Sequence, residues 1–322
     1  MQTEVPSTGA EDLALNGISK VFRTDLLRGP QLAVKDLTCR FAAGRCTGLL
    51  GHNGAGKTTT IKLILGLLKS DKGSIQCGER EITTRDRAKI GYLPELNKLP
   101  ALLTPREVLS YQLQMFMSER FKTAADRREA VKTALAHVNL QDHADKQIGR
   151  LSKGMARRLG WAQATIHAPS ILILDEPASG LDPLARRQMI DWIGAEKKRH
   201  TTILLCTHEL AQVTALCDFY HVLRRGELVA SGSLGPNPAQ SYTIQVSGLR
   251  ADAIERFAAK EGLPPWRSLR QEGVLAELSF VGYEHSAKWL QALLAAGFVV
   301  TQFGADERAF EDALLQHYGG DV

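Results

Sequence analysis

The stretch RCTGLLGHNGAGKTTTIKLILGLL, residues 45–68, decides how this chain is read. RCTGLL has the continuous apolar character of a strand covered on both faces. After Gly51 the apolar period changes to helical spacing, so the order is strand, glycine loop, helix. Gly51, Gly56, Lys57 and Thr58 satisfy G-x-x-x-x-G-K-[ST]. The spacing has a chemical reason. Successive backbone N–H groups must curl around phosphates, and glycines allow the close approach. The helix that follows offers its positive end to the same charge. Lys57 then reaches the β- and γ-phosphates, and Thr58 gives its hydroxyl to magnesium. Asn53, Gly54, Ala55 and Thr59 complete the nucleotide-binding set, and His52 reads as a solvent-facing spacer. A chance glycine turn would not explain the strand before it and the helix after.

Working outward, the pattern repeats. Leu13 to Val21 and LAVKDLTCRFA (32–42) read as strands, separated by the polar insertion RTDLLRGPQ. Residues 102 to 167 read as mostly helical, with Thr104-Pro105-Arg106-Glu107 as a helix start. Ile171 to Leu174 is a short all-apolar strand; the helix DPLARRQMIDWIGAEKKR, the strand TTILLC and the helix ELAQVTALC follow. Strands alternating with helices predict an α/β fold with a parallel sheet and crossover helices. GSLGPNPAQ breaks the composition. Beyond it, SYTIQVSG, ADAIERFAAKEG, WRSLRQEGVLAELSFV, HSAKWLQALLAAG and FVVTQFGA predict strand, helix, hairpin, helix and strand, and DERAFEDALLQHYGG a last helix. The order βαββαβ predicts a small α+β, ferredoxin-like module. The expected organisation is a disordered N-terminus over 1–12, a main domain over 13–235 with a helical subdomain at about 98–157, a linker over 236–240, and an accessory domain over 241–322.

Composition sets the outer bounds. A chain of 322 residues suits one large domain and one small one. The net charge of +5 falls short of a nucleic-acid signature, and no nucleic-acid partner is expected. From Ser241 onward the acids outnumber the bases, so the main domain carries the basic excess. Cys39, Cys46, Cys77, Cys206 and Cys217 are odd in number and form no C-x-x-C pair, which argues against a disulfide framework or a zinc site. Cys206 reads as a buried small residue. The N-terminus lacks a basic start and an apolar stretch, so it does not read as a signal peptide. No apolar run reaches the ~18 residues needed to cross a bilayer, so action at a membrane requires a separate anchor.

Further motifs narrow the class. A GTPase would need Asn-Lys-x-Asp, and the chain's Asn97-Lys98 continues into Leu99-Pro100. Ile171-Leu172-Ile173-Leu174-Asp175-Glu176 is an apolar strand ending in two carboxylates. Asp175 is placed to hold magnesium, and Glu176 to orient or deprotonate an attacking water. Leu151-Ser152-Lys153-Gly154-Met155 starts a helix with Ser152 as a natural cap. Ser179-Gly180-Leu181-Asp182 and then His208 follow. In this order the motifs resemble an ABC-type ATPase, from Leu13 to about Gly235. The GYLPE and LSKGM segments and Ala309-Phe310-Glu311-Asp312-Ala313-Leu314 look similar to the ABC-2 exporter subgroup.

The resemblance implies a P-loop NTPase fold, ATP and Mg2+ as ligands, and hydrolysis coupled to transport, with export as its direction. It implies that Phe22 stacks on adenine. Glu95 stands where the family usually has a glutamine that contacts magnesium and couples to the membrane partner. Ser152 and Gly154 would touch the γ-phosphate held by another protomer, Asp182 would lie at the dimer interface, and His208 would sense the γ-phosphate. One phosphate loop and one signature per chain imply a homodimer or a paralogue heterodimer beneath an integral membrane permease. The expected location is cytoplasmic, peripheral on the inner face of the cell membrane, with docking around Leu99 to Met117. ABC ATPases of chromosome maintenance insert long coiled coils between the phosphate loop and the signature, and translation-factor types carry two cassettes; this chain has neither feature. Glu176 and His208 are both present, which argues against a binding module that has lost hydrolysis.

Overall fold

The computed structural model describes residues 10–22, 31–115, 121, 123–234 and 241–305. The chain divides into two compact units between Gly232 and Ser233. In the first, the strands are β1 (Leu13–Phe22), β2 (Gln31–Phe41), β3 (Cys46–Leu50), β4 (Lys72–Cys77), β5 (Arg80–Glu81), β6 (Ile90–Leu93), β7 (Ile171–Asp175), β8 (Thr202–Thr207), β9 (Phe219–Arg224) and β10 (Glu227–Ser233). The helices are α1 (Lys57–Ile64), α2 (Thr84–Arg87), α3 (Pro105–Met115), α4 (Ala124–His137), α5 (Lys153–Thr165), α6 (Pro183–Lys198) and α7 (Leu210–Leu216).

Six strands form one sheet in the order β10-β9-β3-β8-β7-β6. The pairs β3–β8, β3–β9, β7–β8 and β6–β7 are parallel. Every residue of β3, β7 and β8 is buried, which is why these strands read as unbroken apolar runs. Parallel pairing aligns the C-terminal ends of β3, β6, β7 and β8, and ligands of open α/β sheets bind at that edge.

A second, antiparallel sheet in the order β2-β1-β4-β5 was not part of the sequence expectation, which held only a parallel sheet. It arises because β2 buries Val34, Leu37, Cys39 and Phe41 and exposes the residues between, the alternation of a sheet covered on one face. Leu13, Leu15 and Phe41 from this sheet share one core with Leu49, Ile173 and Leu204 of the parallel sheet and with Ile61 of α1. Helix α1 is thereby anchored to both sheets at the exit of the glycine loop.

The helical segment holds α3, α4 and α5 in mutual contact. Thr104 and Glu107 cap α3 reciprocally, and Thr123 and Asp126 do the same for α4. Trp161 of α5 stacks on Trp192 of α6 at 5.7 Å between ring centroids.

The second unit contains β11 (Ser241–Ser247), α8 (Ala251–Glu261), β12 (Ser268–Glu272), β13 (Leu275–Val281), α9 (Tyr283–Ala295) and β14 (Val299–Ala305). Its sheet runs β12-β13-β11-β14 with every pair antiparallel. Ile244, Val246, Leu278, Phe280 and Trp289 fill its core, and the Trp289 indole donates to the Pro264 carbonyl at 2.7 Å. The helix expected over DERAFEDALLQHYGG, the linker over 236–240 and most of the 23–31 insertion lie outside the described residues. Among the described residues, no helix is long and apolar enough to cross a membrane.

Candidate functional site

The glycine loop joins β3 to α1, and two of its glycines are demanded by neighbouring main chain. A Cβ at Gly51 would lie 2.7 Å from the Leu223 carbonyl oxygen and 2.8 Å from the Ala55 Cβ. Gly56 holds φ at 106°, and its Cβ would lie 2.6 Å from the Ala33 carbonyl oxygen. The loop therefore lies tight under β9 and β2. Gly54, also at positive φ, has open space around it. Lys57 is only 6% exposed, and its ammonium donates to the carbonyls of Gly51 and, at 3.3 Å, His52. Asn53 and Thr58 are exposed, Thr59 is half-buried and Ala55 is buried. The structure thus places a buried cation and an exposed hydroxyl on adjacent residues at the start of α1.

Asp175 closes β7 and is 3% exposed. Burial pushes its pKa up to about 6; the charges of Glu95 and Glu176 push the same way, and Lys57 and Arg157 pull back. Glu176 follows with φ at 47°, a left-handed conformation that is costly for a residue with a Cβ. Its backbone N–H donates to the Cys206 carbonyl at 2.8 Å. Its Oε1 lies 2.7 Å from His208 Nδ1, and its Oε2 accepts from the Thr207 hydroxyl at 3.4 Å. Beyond His208, Glu209 accepts from Arg186 at 2.6 Å and from Gln212 at 2.7 Å. The ends of β7 and β8 thus form one network that fixes a buried carboxylate beside an exposed imidazole. Such a pair can hold and orient a water and accept its proton.

Ser152 caps α5 by accepting from the Met155 N–H at 3.2 Å, and a Cβ at Gly154 would meet nothing within 4 Å. Asp182 caps α6 through the Ala185 N–H at 2.9 Å. Both side chains are engaged within their own helices, and neither hydrogen-bonds Lys57, Asp175 or Glu176. The structure therefore brings Lys57, Asp175, Glu176 and His208 together, and no hydrogen bond ties Ser152 or Asp182 to them among the described residues. Glu95 is exposed just after β6, and its charge reaches Asp175. Phe22 ends β1, half-buried, opposite Gln31.

The sequence reading passed over Arg157. This buried residue donates only to main-chain carbonyls: Nε to Pro177 at 2.9 Å, Nη1 to Pro94 and to Glu95 at 3.0 Å, and Nη2 to Asp175 at 3.1 Å and to Glu176 at 2.6 Å. Burial pulls its pKa down to about 10, and the carboxylates of Asp175, Glu95 and Glu176 resist that shift. A signal was present. Arg157 shares the i, i+3, i+4, i+7 stripe of α5 with buried Gly160, Trp161 and Ala164, and a charge on such a stripe must find partners inside.

Known proteins are similar to this chain. The family model described as ABC transporter matches residues 34–179. The Nod factor export ATP-binding protein I of Burkholderia lata is 40% identical over 234 residues, spanning 71% of this chain and 73% of that protein. The ABC transporter ATP-binding protein YxlF of Bacillus subtilis is 37% identical over 295 residues, 88% of this chain and 94% of that one. Among solved structures, an ATP-binding subunit of an ABC transporter superposes with a TM-score of 0.61 at 29% identity, over 69% of this chain and 90% of that chain. A dimeric ATP-binding cassette in a post-hydrolysis state bound to ADP and Pi shares the fold at 20% identity, with a TM-score of 0.62 over 69% of this chain and 98% of that one. The chain belongs to the ABC transporter family and is one of its ATP-binding subunits, an ABC ATPase.

Proposed function

We propose that this subunit hydrolyses ATP between two copies, or between itself and a paralogue, and so drives export through a separate membrane permease. The observation that carries this reading is the 2.7 Å contact of Glu176 Oε1 with His208 Nδ1 at the sheet edge beside the glycine loop. Lys57 and the loop from Gly51 to Thr59 hold the phosphates. The donor set suits a hard cation, because the Thr58 hydroxyl and the Asp175 carboxylate are oxygen ligands. The negative charge gathered by Asp175, Glu95 and Glu176 favours Mg2+ there. Bound magnesium would neutralise charge on the phosphates. Glu176 orients the attacking water and takes its proton, while His208 fixes the carboxylate and faces the γ-phosphate. Phe22 stacks on adenine.

Ser152 and Gly154 sit on an open helix start that a second protomer's ATP can approach, with Asp182 beside that interface. ATP then favours the closed pair, and hydrolysis releases it. Leu102 and Met115, within the segment from Leu99 to Met117, are 81% and 71% exposed, as is Leu96 beside Glu95 at 68%, and these exposed apolar side chains support docking of a permease there. That contact holds the subunit on the inner face of the membrane. The export named for the Burkholderia lata relative supports the direction. The second unit is read as a ferredoxin-like accessory domain from its strand order.

The test is a tagged Glu176→Gln chain trapped with ATP and recovered from solubilised membranes, alongside phosphate release by the unaltered chain. A multi-span membrane protein in near-equal amount, with hydrolysis by the unaltered chain, is the expected result. Partners that are all water-soluble, or absent while ATP still pairs the chains, would overturn the transport reading.

A further inference from the structure

Arg157 has five N–H donors, and its five hydrogen bonds go to carbonyls on two separate segments. Pro94 and Glu95 follow β6; Asp175, Glu176 and Pro177 close and follow β7. Among the described residues it forms no salt bridge: all five of its hydrogen bonds go to main-chain carbonyls, and the carboxylates of Asp175, Glu95 and Glu176 favour its charge without bonding to it. A guanidinium is planar, and its donors keep fixed mutual angles. Carbonyls bound to one fork cannot move independently without stranding a buried donor, which is expensive.

Two further observations show where that constraint acts. Glu176 keeps a left-handed backbone, a conformation that persists only where its surroundings over-determine it. Its N–H is held by the Cys206 carbonyl and its own carbonyl by Arg157. Arg157 also stands in the second turn of α5, the helix capped by Ser152.

We propose that Arg157 is a positioning residue that couples the loop bearing Glu95 and the first turns of α5 to the carboxylate of Glu176. A shift in the Glu95 loop, or a tilt of α5, passes through the fork to the Glu176 carbonyl and re-aims its side chain relative to His208. The inference rests on the reading of Glu176 as the base. It adds that a buried side chain, Arg157, helps to set the pose of Glu176 by holding its carbonyl.

The full chain carrying Arg157→Lys, and separately Arg157→Gln, tests this. Lysine keeps the charge and loses the fork, whereas glutamine keeps a planar donor group and loses the charge. Melting temperature, affinity for a fluorescent ATP analogue, kcat and KM are measured beside the unaltered chain. Both variants are expected to fold and to bind nucleotide within about threefold of the original, because the glycine loop is untouched. Their kcat is expected to fall roughly 10- to 100-fold, the scale of a misplaced catalytic group. Hydrolysis at the original rate by a folded variant would overturn the proposal. So would kcat and nucleotide affinity falling together with melting temperature, the pattern of a purely structural residue. If neither variant folds, hydrogen exchange of the unaltered chain with and without the ATP analogue decides. Amides of Glu95, Leu96 and Asn97 and those of Glu176, Ala178 and Ser179 should change protection together, and independent change would overturn the coupling. An unaltered chain that binds ATP without hydrolysing it would refute the reading of Glu176 as base instead.

Discussion

Glu176 and His208 come from the ends of two neighbouring parallel strands and meet at 2.7 Å between Oε1 and Nδ1. The register of β7 on β8 places Asp175 beside Cys206; Glu176 directly follows the last residue of β7, and His208 directly follows the last residue of β8. Glu176→Gln keeps the shape of the side chain and removes its basicity. Phosphate release should fall roughly 100-fold or more, with ATP affinity retained within about threefold. His208→Ala leaves the base in place and unsupported, and should cost about 10- to 100-fold in kcat. Equal loss of binding in either variant would refute the division of roles.

The glycine loop makes a prediction about stability. At Gly51 the obstruction is spatial, because a Cβ would press on the Leu223 carbonyl at 2.7 Å and on the Ala55 Cβ. Backbone cannot step aside cheaply, so Gly51→Ala should cost about 2 to 3 kcal/mol. At Gly54 the space is open and only the positive φ is strained, so Gly54→Ala should cost about 1 kcal/mol. Denaturant unfolding of the two variants checks the order, and an equal cost would show that the loop is looser than its contacts imply.

These cases show what the sequence could carry. The strand, glycine loop and helix were legible because their signal is local: an apolar run, fixed glycine spacing and a change of period. The carboxylates of β7 were legible for the same reason. The antiparallel sheet was not, because β1 finds β4 more than fifty residues away and Lys72–Cys77 is too short and mixed to announce its partner. Arg157 was missed because its partners are carbonyls, which every residue possesses and no motif marks. Lys57 was recognised, but its position against the Gly51 and His52 carbonyls required the folded loop.

Acid should destabilise the chain in two stages. Burial pulls the pKa of His167 down to about 4, against about 6.5 in an unfolded chain. Between those values the unfolded state binds the extra proton, so stability drops by about 1.4 kcal/mol for each unit that the pH is lowered. Burial also depresses His221, which acts with the same sign. Asp86 is buried, with two hydrogen bonds from Arg80 and others from Thr83, and these hold its pKa well below the carboxylate range. Its contribution is complete above the unfolded value of about 4 and disappears as pH drops below it. His167→Gln should flatten the first stage. Asp86→Asn should remove the second and cost about 1 to 2 kcal/mol at neutral pH, since an amide accepts more weakly from Arg80 and Thr83 and turns a donor toward them. Unfolding free energies measured from pH 7 to pH 3 separate the two, and a flat profile would contradict both.

Gly154 separates the stability of one protomer from the pairing of two. It occupies the second helical position of α5, after the Ser152 cap, and a Cβ there would point into open space, with nothing within 4 Å. An acidic residue there suits the positive end of the helix by about 0.3 to 1 kcal/mol, and it removes the entropic cost of glycine. Gly154→Asp should therefore melt at the same temperature or slightly higher as a monomer. Its carboxylate would face the triphosphate held by a second copy, and like charges in a closing interface repel strongly. Combined with Glu176→Gln, which keeps ATP intact, the variant should bind ATP normally and remain monomeric in light scattering, while Glu176→Gln alone pairs. Pairing of the double variant would show that the start of α5 does not meet the partner's nucleotide, and the shared-ATP arrangement would then have to be abandoned.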